Sequence, residues 1–105
     1  MFHMLTCFNL KAGESIQNFG DAISEFTGHM KNLDLVDSIS PIGRRQTDTI
    51  MDTDTERDHK YFFIMSFRDR AQCDQAVAHI YPHEAPTDAL HNAVYAGIKD
   101  QIFVC

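Results

Sequence analysis

The most informative run of the chain is Tyr61-Phe62-Phe63-Ile64-Met65-Ser66-Phe67, a strand pattern that is apolar on both faces. Side chains alternate across a strand, so Tyr61, Phe63, Met65 and Phe67 share one face and Phe62, Ile64 and Ser66 the other. A half-exposed strand would show a polar face; this one does not. It predicts the central strand of a small sheet that needs cover on both sides. Residues 2–9 form a similar strand pattern, with Phe2, Met4, Thr6 and Phe8 on one face and His3, Leu5 and Cys7 on the other. Lys11-Ala12-Gly13 is a turn.

Ile16, Phe19, Ile23, Phe26, Met30 and Leu33 step by three and four, which is one stripe of an amphipathic helix. Ser15 is placed to cap it and Glu14 suits its dipole. Leu35 to Arg45 reads as a second strand, with Pro41 marking an edge or a bulge. Residues 46–59 are rich in Thr and Asp and read as a solvated connection, with the strand reaching at most to Met51. Asp69-x-x-Gln72 has the form of a capping box, followed by a short apolar face of Cys73, Ala76, Val77 and Ile80, and Pro82 ends that helix. Pro86-Thr87 opens another helix, with Leu90, Ala93, Val94, Gly97 and Ile98 on one side and Lys99-Asp100 closing it. Gln101 to Cys105 is a final strand.

The order is strand, helix, strand, strand, helix in two pieces, strand. That order is the α+β, ferredoxin-like βαββαβ unit: an antiparallel four-stranded sheet with its helices on one face. The other face is left bare and apolar, which predicts an interaction surface. A two-fold partner with its own bare sheet is the economical cover. In topology, length, two-faced strands and the Leu90-His91-x-x-Val94 helix leading into Ile102-Phe103-Val104, the chain resembles the dimeric α/β-barrel superfamily. It is closest to small members of that superfamily with no assigned function. The resemblance spans the whole chain as a single domain, 1–105. It implies a homodimer joined through the sheet faces.

Composition narrows the partners. The 105 residues carry a formal charge of -6, and only Arg44-Arg45 are adjacent basic residues. Phosphate backbones and anionic membranes need clustered cations, so nucleic acid and membrane are not expected. No apolar run approaches the ~20 residues of a membrane span, and residues 1–8 lack the basic start of a secretory signal. Cys7, Cys73 and Cys105 have no paired spacing, which fits reduced thiols in the cytoplasm. Asp52-x-Asp54-x-Glu56 has the beginning of a calcium loop but lacks its Gly and its closing Glu.

Six histidines are the compositional excess. His29 lies four residues after Glu25 and His91 four before Tyr95, so each has a helical neighbour one turn away. His3 lies on the first strand. Histidine titrates near neutrality and can bind metals, so His3, His29, His91, Tyr95 and Glu25 are the candidate lining of a ligand pocket at the sheet or helix edge. No metal spacing and no catalytic motif is present, and no cofactor is expected; within the superfamily, haem is the one to consider. Three readings follow: a homodimer binding a small apolar ligand, a cofactor-poor monooxygenase or haem-handling enzyme, and a structural or stress-response module without a substrate.

Overall fold

A computed structural model describes residues 1–105. The strands and helices run in the expected order, as β1 (Phe2–Leu10), α1 (Ile16–Asn32), β2 (Ser38–Ile39), β3 (Gly43–Arg44), β4 (Tyr61–Phe67), α2 (Arg70–Ile80), α3 (Thr87–Ala96) and β5 (Ile98–Val104). The sheet is antiparallel and open, in the order β2-β4-β1-β5, with β3 also pairing β4. β1 and β4 form its centre, in a register that sets Met4 opposite Met65 and Thr6 opposite Phe63.

The central strands share their two faces out as the alternation requires. Phe8, Phe63, Met65 and Phe67 are buried with Phe19, Ile23, Phe26 and Met30 of α1 and Val94 of α3 in one core. That core is the helix side of the sheet. Phe62 and Ile64, one residue out of phase, remain 39% and 38% exposed on the opposite side. Their register places Leu5, Cys7, Ile102 and Val104 beside them.

Four boundaries differ from the sequence reading. The second strand is not continuous over 35–45 and does not reach Met51; it is split into β2 and β3. Pro41 cannot donate to the ladder. Between Ile39↔Met65 and Gly43↔Phe62 the edge holds one residue more than β4. Ser40 holds the edge at that break, its N–H donating to Ile64 O and its Oγ accepting from Ile64 N, each at 2.8 Å. The last helix ends at Ala96, before Ile98 and Lys99, with Gly97 as its C-cap. Ile98 then pairs with Leu10 and is buried as the first residue of β5, so it belongs to the strand. Leu33 is the C-cap of α1 and half-exposed rather than part of the buried stripe.

At the start of α2, Asp69 caps Gln72 N at 2.8 Å as the capping box predicts. The return bond from Gln72 Oε1 goes one residue further back, accepting from Arg68 N at 2.6 Å. Gln72 Nε2 also donates to Asp34 O at 3.1 Å, which ties α2 to the end of α1. No helix is long and apolar enough to cross a membrane.

Candidate functional site

Between the helices and the sheet lies a cavity of about 460 Å³. Its floor is the core face of the sheet, including Met4, Thr6, Met65 and Phe103, and its walls come from α1, α2, α3 and the turn after α2. No Asp, Glu, Lys or Arg is among its lining residues. The polar groups present are Thr6, Cys73, Tyr81, His83, His91 and Tyr95.

α3 sets His91 and Tyr95 one turn apart, and their rings meet edge to face with centroids 4.8 Å apart. His91 also lies 5.5 Å from the Phe26 ring of α1, and Tyr95 lies 6.4 Å from Phe103 of β5. Burial disfavours charge on both. It holds the His91 imidazole below its ordinary pKa, with His83 adding to the effect, and it raises the Tyr95 phenol. Near neutral pH the wall therefore presents an uncharged imidazole beside an uncharged phenol. Cys73, also in the wall, is pushed up by burial, away from the thiolate that nucleophilic attack needs.

The other candidates stand elsewhere. His3 is on the bare face of the sheet, its Nδ1 2.7 Å from Ser66 Oγ, and does not line the cavity. Glu25 is exposed and lines none of the clefts described here. His29 does not take Glu25 as its partner: its Nε2 lies 2.8 Å from Thr87 Oγ1. His79 Nε2 approaches the same oxygen at 2.9 Å, so one buried hydroxyl joins α1, α2 and α3. A hydroxyl has one proton, so it donates to one ring nitrogen and accepts from the other. No group of three or more His, Cys, Asp or Glu residues is placed to hold a metal ion.

A second concavity lies over the bare sheet face, between Leu5, Cys7 and Phe62 and the 46–59 connection. Arg45 organises that connection. Its Nε and Nη2 reach the two Asp52 carboxylate oxygens at 2.6 and 2.7 Å, Nη2 also donates to Asp54 O at 2.6 Å, and Nη1 donates to Arg57 O. Arg57 Nη1 in turn donates to Asp54 Oδ2 at 2.7 Å, and this bond leads in lowering the Asp54 pKa to about 2. The carboxylate that Arg45 clamps is the chain's own.

No protein-family model matches the chain, and no curated protein matches it. Solved structures do. A protein of Arabidopsis thaliana, At3g17210, aligns with a TM-score of 0.68 at 10% identity, over 97% of this chain and 89% of that one. A dimeric ferredoxin-like protein of unknown function from Jannaschia sp. CCS1 aligns with a TM-score of 0.65 at 15% identity, over 97% and 93%. A dabb family protein with a ferredoxin-like fold from Mesorhizobium loti reaches 0.50 at 15%, over 97% and 90%. The chain has the ferredoxin-like fold. The likeness is one of backbone, and it assigns no side chain a role.

Of the five candidates, then, the ferredoxin-like fold brings His91 and Tyr95 together in one cavity. Thr6, His83 and Cys73 belong to the same cavity and were not singled out from the sequence. Thr6 had no signal of its own, because both faces of β1 read as apolar. His83 follows Pro82, outside any helical periodicity.

Proposed function

We propose that this is a cytoplasmic homodimeric ferredoxin-like protein that binds a small apolar ligand in the cavity between its helices and its sheet. The observation that carries the reading is the cavity itself, which has a volume within the range of small-molecule sites and whose His91 and Tyr95 rings can orient a bound molecule. The homodimer is supported by the apolar side chains left on the other sheet face, Leu5, Phe62, Ile64, Ile102 and Val104, and by the dimeric state given for the Jannaschia protein. Two such sheets packing face to face form the barrel that the resemblance implies.

The lining argues against haem. Haem carries two carboxylates, and the cavity offers neither Lys nor Arg to receive them. Nucleophilic chemistry at the cavity's thiol is disfavoured, since burial drives Cys73 away from its reactive form.

Native mass spectrometry of the protein purified from its own host tests both halves together. The expected result is a dimer with a small-molecule mass bound to each chain. A monomer overturns the barrel, and a dimer that neither retains nor takes up an apolar compound overturns the ligand.

A further inference from the structure

Thr6 stands where β1 crosses the cavity floor, between Phe63 and Phe103 in the register of the sheet. It is 1% exposed, and its Oγ1 has no hydrogen-bond partner. Leaving a buried hydroxyl unpartnered costs folding stability, because it forgoes water and receives nothing in return. The same side chain lines an apolar cavity large enough for a small molecule. A ligand oxygen would supply the missing partner, and a hydroxyl can either donate or accept. Met4, two residues along the same face, and Met65 across from it line the cavity beside Thr6. Methionine side chains turn easily and can make room beside the Thr6 hydroxyl.

The charge of the ligand follows from the rest of the wall. A carboxylate brought to Thr6 on the cavity floor would meet no Lys or Arg, and the other imidazole of the lining, His83, stands exposed on the turn after α2 rather than on the floor. Burying it unpaired carries a large desolvation penalty. The imidazole and phenol of His91 and Tyr95 are themselves held in their neutral forms by burial.

We propose that the ligand is an electrically neutral lipophile with one hydrogen-bonding oxygen, an alcohol, phenol or ketone, which it brings to Thr6. This rests on the cavity being a ligand site, and it adds the chemical class and the anchoring residue. The corresponding carboxylic acids are rejected.

Three probes of one shape separate the terms: naphthalene, 1-naphthol and 1-naphthoate, titrated calorimetrically into the whole protein at pH 7.5. One neutral hydrogen bond predicts that 1-naphthol binds up to about tenfold more tightly than naphthalene, and that 1-naphthoate binds most weakly. Thr6→Val should bring 1-naphthol to the level of naphthalene and leave naphthalene unchanged. The same variant should raise the urea midpoint of the free protein, which shows that the lost affinity is not lost folding. Thr27→Val removes the other buried threonine hydroxyl without a partner, one outside the cavity lining. It should raise the midpoint too, with 1-naphthol binding untouched. Preference for 1-naphthoate, or 1-naphthol affinity indifferent to Thr6→Val, overturns the proposal. Equal binding of naphthalene and 1-naphthol overturns it while leaving the cavity as a ligand site; no binding of any probe overturns both.

Discussion

His91 packs between the rings of Phe26 and Tyr95, and burial there disfavours its charged form. The folded protein therefore binds fewer protons at this site than the unfolded chain does when the pH falls below the free imidazole value of about 6.5. Stability from His91 is complete above that value. It is lost as the pH drops from there toward the depressed folded value. His91→Phe keeps an aromatic ring in place and removes the titration. Its melting temperature should fall less between pH 7 and pH 5 than that of the parent. A fall of equal size in both proteins would take His91 out of the account. Asp54 behaves in the same sense but over a more acidic window, with its pKa lowered to about 2 chiefly by the Arg57 hydrogen bond. Its contribution is present above the ordinary carboxylate range and is lost only in strong acid.

At the scale of the elements, what could be read from the sequence depended on whether the information was local. The α1 stripe was legible because helical periodicity repeats along one segment, and Phe19, Ile23, Phe26 and Met30 are buried as it requires. The Asp69 cap was legible for the same reason. The meeting of His91 and Tyr95 followed from a four-residue spacing. His29 instead meets Thr87, which is 58 residues away, and no periodicity within α1 could announce that. Gln72 shows the same limit: the sequence placed it in a cap, while the fold also uses it to fasten two helices together. It is 2% exposed. Gln72→Leu fills a similar volume but deprives Arg68 N–H and Asp34 C=O of their partner. The expected cost is about 2 kcal/mol, or a drop in melting temperature of ~10 °C for a domain of this size. Urea denaturation checks it, as a lower midpoint with an unchanged slope.

The whole molecule is a single layer of helices on an open sheet, and on the second face only the 46–59 connection lies over part of it, leaving Phe62 and Ile64 39% and 38% exposed. Two-faced apolar strands made that deficit visible in the sequence, but not which alternation pointed outward. The fold decides it: Phe63 is buried in the core, and Ile64 faces away from the helices. The two neighbours should therefore fail differently on substitution by Asp. Phe63→Asp places a charge in the core and should abolish folding. Ile64→Asp places one in the middle of the bare face, beside Leu5 across the ladder. A charge buried there without a counter-ion opposes sheet-to-sheet packing, while the helix-side core is untouched. The expected product is a soluble monomer with the parent's circular dichroism. Light scattering on a sizing column measures it directly. A stable interface buries roughly 1,200–2,000 Å² in all, so one unpaired charge near its centre should lower the dimer constant by orders of magnitude. If Ile64→Asp remains a dimer at micromolar concentration, the sheets do not meet face to face, and the apolar side chains around Ile64 must be covered in some other way.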